Sequence, residues 1–164
     1  MKIIFTDGAC SGNPGPYGCA WMIDGVLKTT TGLNPATNNL AELEAIWHAT
    51  QELYDHDEAV IFTDSKVCVS WLTKNIPCQY HKLRQEMWNY VQQHDIHIHF
   101  KRIAGKNCPQ AVAVDKAAKA AIVKNVPVKR KLTEYIAEQN DITDEELEDD
   151  VLPFLMGMFP GGLK

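Results

Sequence analysis

No apolar run in this 164-residue chain approaches the roughly 18 to 20 residues needed to cross a bilayer. Charge arrives at Lys2 and Asp7, too early for a secretory signal, so no membrane association and a cytoplasmic location are expected. A paired-thiol framework is missing too. The five cysteines, Cys10, Cys19, Cys68, Cys78 and Cys108, are odd in number and contain no C-x-x-C pair, which suits reduced thiols rather than disulfides or a zinc site. Nor is there an excess of positive charge: the formal net charge is -5, which on its face argues against a nucleic-acid partner. Its location matters more than its total. Residues 126–164 hold four Lys/Arg and nine Asp/Glu, while residues 1–125 hold twelve of each, so the main body is neutral. With 45% hydrophobic residues, the chain reads as one main domain, residues 1–125, followed by an acidic extension, residues 126–164. A monomer is expected.

Periodicity orders the body as βββαβαα, then a strand and a last helix. Lys2 to Thr6 is a strand-like run closed at Asp7-Gly8, and Ser11-Gly12-Asn13-Pro14-Gly15-Pro16 follows as a turn. Asp24-Gly25 tolerates positive φ and joins Tyr17–Ile23 to Val26–Thr31 as a hairpin. Asn38 and Asn39 are suited to cap a helix reaching about Tyr54; Ala59–Thr63 reads as a strand, and Ser65–Lys74 and His81–Gln93 as helices. Ile96, Ile98 and Phe100 alternate with Asp95, His97, His99 and Lys101, the period of a half-buried strand. His97 and His99 share its polar side without an evident third ligand, so solvent exposure explains them better than metal binding. Pro109 opens a last body helix reaching about Lys124.

The stretch Ile-Phe-Thr-Asp occurs twice, ending at Asp7 and at Asp64. Each aspartate lies where an apolar strand gives way, the edge at which open α/β sheets place ligands, and parallel neighbouring strands would bring the two side by side. Capping of the Asp-Gly and Asp-Ser turns is the alternative. On the helix that follows Asn39, Glu42 shares a face with Ala45, Ile46, Ala49 and Leu53, whereas Glu44 lines up with His48, Gln51 and Glu52. Glu42 is therefore expected to point inward and Glu44 outward. An inward acid calls for a partner or a cation, unless it merely favours the helix dipole. Asp115 is a second such acid, in phase with Ala111, Ala118 and Ile122. Converging, these four carboxylates would suit two Mg²⁺ ions, with Mn²⁺ as an alternative, since hard cations prefer oxygen ligands. Such a pair can promote phosphodiester hydrolysis.

With "TDGACSGNPGPYG", "TNNLAELEAI", "IFTDSK" and "AVDKAAKAA" in order and spacing, residues 1–125 resemble the ribonuclease H type 1 family. The resemblance implies a mixed five-stranded sheet flanked by helices. The C-terminal extension lies outside it and is expected to be helical from the spacing of Val128, Leu132, Tyr135 and Ile136 and the Thr143–Glu146 capping box. It also implies two-metal hydrolysis of the RNA strand of an RNA/DNA hybrid, leaving 3'-hydroxyl and 5'-phosphate ends. Asp7, Glu42, Asp64 and Asp115 match the metal-binding, catalytic acids. Cys10 and Asn13 match residues that read the RNA minor groove, Asn38 and Glu42 match residues that meet 2'-hydroxyls, and Thr37 matches a DNA-phosphate contact; the 2'-OH is the chemical mark of RNA.

Four departures separate this chain from the pattern. The loop before the last helix reads "IAGKNCPQ" where the family commonly has a histidine, leaving Lys106 or Asn107 as possible assistants. "AVAVD" replaces a more polar approach to the final acid, which bears on second-metal affinity, and Lys66 stands where Gln commonly contacts RNA. The segment between Trp71 and Trp88 also lacks a Lys-rich protrusion. An active hybrid endonuclease leads; a catalytically weak hybrid-binding module and a DNA nuclease of the same fold are the alternatives. In the extension, "DITDEELEDD" carries seven acids and no base, and the apolar "VLPFLMGMF" after it is suited to packing on the body or to a protein partner.

Overall fold

The computed structural model describes residues 1–74, 76–104 and 108–122; the acidic extension and Lys106 lie outside the described residues. Nine elements follow in order: β1 (Lys2–Cys10), β2 (Gly15–Ile23), β3 (Val26–Ala36), α1 (Asn38–Thr50), β4 (Glu58–Thr63), α2 (Lys66–Thr73), α3 (His81–Gln93), β5 (His97–Arg102) and α4 (Pro109–Ala120). The strands form one mixed five-stranded sheet in the order β3-β2-β1-β4-β5. β1 pairs antiparallel with β2 and parallel with β4; β5 extends the sheet parallel to β4.

Alternation along the strands divides the core between two faces. Ile4, Cys19, Trp21, Ala59 and Ile61 join α1 residues Leu43, Ala45, Ile46 and Ala49 in the larger cluster. On the opposite face, Ala20 and Met22 meet Val114 and Ala118 of α4, with Phe5 and Ala9 packed alongside. The β2–β3 turn occupies positive φ at Asp24 (48°) and Gly25 (88°), the conformation for which that dipeptide is suited. His97 and His99 are exposed, with Ile98 and Phe100 half-buried, as the alternating pattern requires.

Several boundaries differ from the sequence reading. β1 does not stop at Asp7 but continues to Cys10, because its antiparallel ladder with β2 runs on through Asp7↔Ala20 to Cys10↔Tyr17. The cap of α1 is Thr37, neither Asn38 nor Asn39: its Oγ1 accepts the Leu40 N–H at 3.2 Å. The helix ends at Thr50 rather than near Tyr54, since Glu52 and Leu53 donate to the carbonyls three residues back and tighten the chain into a turn. Glu44 is not outward either. It is half-buried and accepts the Tyr17 hydroxyl, while Glu52 accepts Trp21 Nε1 at 2.8 Å, so this flank of α1 lies against β2.

Candidate active site

Strand register places the two repeated aspartates. The parallel ladder pairs Ile4 with Ile61 and Phe5 with Phe62, whose rings stack at 5.1 Å. Two residues further along the chain from each stand Asp7, still within β1, and Asp64, just past the end of β4. Beyond Phe5, β1 retains only β2 as a ladder partner, because β4 ends at Thr63. At this level α1 lies across β1 and β2. An ideal Cβ on Gly8 would lie 2.1 Å from the Ala41 carbonyl carbon and 2.3 Å from Glu42 N, so the absent side chain at position 8 lets α1 touch β1.

That contact delivers Glu42. Asp7, Glu42 and Asp64 each offer one carboxylate oxygen, and the three oxygens lie within 4.8 Å of one another. Among the described residues this is the one group of three or more His, Cys, Asp or Glu side chains so arranged, and it excludes His97 and His99. Burial, followed by the charge of Asp64, pushes Asp7 up to about 6. Glu42 rises well above its ordinary value, again through burial first and then the charges of Asp7 and Asp64. Thr63 Oγ1 is 3.5 Å from Glu42 Oε2, and Arg102 Nε donates to the Asp64 carbonyl at 3.3 Å.

Asp115 stands outside this group. It is half-buried on α4, with Oδ1 2.7 Å from Lys119 Nζ, yet its charge still contributes to the rise at Asp7. Helical phase places Asp115 on the inward side of α4, where its charge reaches Asp7, and the four-residue spacing to Lys119 is the sequence signal for its ion pair.

A second set of residues gathers at the start of α1. The Cys10 thiol faces Asn38 Oδ1 at 2.9 Å and the Gly12 carbonyl at 2.7 Å, and Asn38 N–H donates to Asn13 Oδ1 at 3.1 Å. Burial pushes Cys10 up to about 11, so it is a protonated donor at neutral pH. The turn after β1 is thereby tied to the helix that carries Glu42, and the carboxamide NH₂ groups of Asn13 and Asn38 have no hydrogen-bond partner among the described residues. Thr37 is buried beneath them, with Oγ1 2.5 Å from the Tyr80 hydroxyl. Lys66 is exposed at the first position of α2, two residues beyond Asp64. All five cysteines are free thiols. The sequence does not single out Gly8 or Tyr80: Asp7-Gly8 reads as a turn, and Tyr80 is 43 residues from its partner Thr37.

Solved structures share this arrangement of elements. LC11-RNase H1, in complex with RNA/DNA hybrid, superposes with a TM-score of 0.64 at 22% identity over 74% of this chain and 96% of that one. RNase H1 from Halobacterium salinarum gives 0.62 at 22% identity over 73% and 96%. At that identity the likeness establishes the ribonuclease H-like fold. In sequence, the chain is 41% identical over 76 residues to a ribonuclease H of Caldicellulosiruptor saccharolyticus, covering 44% of this chain and 52% of that protein. It is 39% identical over 88 residues to ribonuclease H of Escherichia coli, covering 52% and 54%. The matches thus span about half the length of these curated relatives. The RNase H family model matches residues 1–123, and the chain belongs to that family.

Proposed function

We propose that the protein is an endoribonuclease that hydrolyses the RNA strand of RNA/DNA hybrids, assisted by two Mg²⁺ ions or by Mn²⁺, and leaves 3'-hydroxyl and 5'-phosphate ends. The observation carrying this reading is the convergence of Asp7, Glu42 and Asp64 within 4.8 Å at the open edge between β1 and β4. Three crowded carboxylates with two of them pushed toward their neutral forms make a donor set made of oxygen and short of positive charge, which fits a hard divalent cation. Bound there, such ions supply Lewis-acid activation of water and stabilisation of the leaving oxygen.

The chain's own residues supply position and selectivity. Asp7 and Asp64 are fixed by strand register, and Glu42 by the close contact at Gly8. Asp115 on α4, near enough for its charge to raise Asp7, is the fourth acid in this reading. The NH₂ groups of Asn13 and Asn38 and the thiol of Cys10 offer neutral donors to groove acceptors and 2'-hydroxyls, which suits a body of balanced charge. Thr37 contacts a DNA-strand phosphate, and Lys66 lies on the RNA side. The family name and the hybrid seen with LC11-RNase H1 support the same substrate. We take residues 1–125 as the catalytic domain.

The Lys119 pairing of Asp115 favours a second reading, a hybrid-binding module of weak activity. End-labelled hybrid, offered beside single-stranded RNA, duplex RNA and duplex DNA with Mg²⁺ or Mn²⁺, separates the two. Cleavage of hybrid alone, abolished by EDTA and by Asp7→Asn, is expected; hybrid binding without cleavage at any metal concentration supports the module.

A further inference from the structure

Tyr80 immediately precedes α3, is fully buried, and lies edge-on to Trp71 with ring centroids 5.9 Å apart. Its hydroxyl has one hydrogen-bond partner among the described residues, Thr37 Oγ1 at 2.5 Å. Either oxygen can donate in such a pair, but the two directions are not equivalent. Either direction leaves one hydroxyl hydrogen over. If Thr37 donated, it would be that of Tyr80, which is wholly enclosed, whereas Thr37 keeps 7% exposure, so the leftover hydrogen is better placed on Thr37. If Tyr80 donates, its one hydrogen is satisfied. Thr37 Oγ1 then accepts twice, from Tyr80 and from the Leu40 N–H at 3.2 Å, and its own hydrogen is left over. Burial pushes the Tyr80 phenol up, so it holds that hydrogen throughout the neutral range.

Resting on the hybrid reading above, we propose that Tyr80 is a positioning residue, donating to Thr37 Oγ1 so that the Thr37 hydroxyl is held as a donor for a DNA-strand phosphate. A phosphate oxygen only accepts, so a threonine hydrogen spent inside the protein would present lone pairs to an anion. Thr37 retains 7% exposure, and the next residue, Asn38, is exposed. The same oxygen caps α1, the helix bearing Glu42, so the phosphate contact and the acid group share one anchor.

The test uses the full chain and hybrids in which one DNA-strand phosphate at a time is replaced by a neutral methylphosphonate. Tyr80→Phe is expected to raise KM about five- to tenfold with kcat within twofold. That penalty should vanish at a single methylphosphonate position and in a Thr37→Val background, while Thr37→Ser retains it. An equal penalty at every position, or one that persists in Thr37→Val, overturns the role. Wild-type protein offers a check independent of folding: an exchange-protected Tyr80 hydroxyl proton close to the Thr37 methyl group is expected by NMR, and a protected Thr37 hydroxyl proton in its place overturns the role. A wild type that neither binds nor cleaves hybrid removes the hybrid reading and the role together. If it handles hybrid and Tyr80→Phe does so equally well, the role alone falls.

Discussion

Lys119 Nζ lies 2.7 Å from Asp115 Oδ1, one helical turn along α4, while the other three acids of the site stand together without a described basic side chain among them. The pair joins an acid to a base four residues later, the favourable order on a helix, worth about 0.3 to 0.5 kcal/mol when exposed. Lys119 competes for the charge that Asp115 would lend to a cation. Lys119→Ala should therefore halve, or lower further, the Mg²⁺ concentration giving half-maximal cleavage, with stability changed by no more than about 0.5 kcal/mol. A metal titration of both proteins is the check. An unchanged midpoint would mean that Asp115 has no part in metal affinity.

Removing the charge at Asp7 should uncouple stability from activity. Its folded pKa is raised from 3.8 to about 6, so the folded state holds this proton more tightly than the unfolded chain. The stabilisation is fully present below pH 3.8 and is lost as pH rises through about 6. Without metal, Asp7→Asn should be more stable than wild type at pH 8, by on the order of 2 kcal/mol, and little different near pH 4. Urea unfolding in EDTA at the two pH values measures this. Added Mg²⁺ should raise the wild-type Tm and leave the inactive variant almost unmoved.

Gly8→Ala tests the close contact between β1 and α1. The new methyl would meet backbone atoms of Ala41 and Glu42, not a side chain able to swing aside. A loss of roughly 2 to 4 kcal/mol is expected from denaturant unfolding. In protein that still folds, cleavage should fall at least tenfold, because relief of the clash carries Glu42 away from Asp7. Wild-type stability would show that α1 sits further from the strand.

Local patterns make much of this site legible in the sequence. The repeated Ile-Phe-Thr-Asp places Asp7 and Asp64 through parallel register, and helical phase singles out Glu42. Asp-Gly at 24–25 does form the hairpin turn, but Asp-Gly at 7–8 lies within a strand. The local sequence is the same, and only the neighbouring strand, paired through Cys10↔Tyr17, distinguishes the two settings. Glu44 escaped for a similar reason. Helical phase separates one face of α1 from another, yet it cannot tell that the second face meets Tyr17 and Trp21 rather than water. Tyr80 needed the full topology, since its partner Thr37 is 43 residues away in sequence.

Asn38 offers a test of selectivity that leaves the acids untouched. Its Oδ1 accepts from Cys10 and its backbone N–H donates to Asn13, so the side-chain NH₂ is the part directed to neither. Asn38→Asp keeps the acceptor and the shape but replaces that donor with negative charge near the substrate's phosphates. Hybrid affinity should fall about tenfold or more, equivalent to about 1.4 kcal/mol, while the Tm in EDTA changes little. Asn38→Ala loses both the donor and the tie to Cys10, and should weaken hybrid binding while narrowing its margin over duplex DNA. Competition binding against the two duplexes gives that margin directly. If Asn38→Asp binds hybrid as tightly as wild type, the 2'-hydroxyls are read elsewhere, and Asn13 with the Cys10 thiol become the next donors to remove.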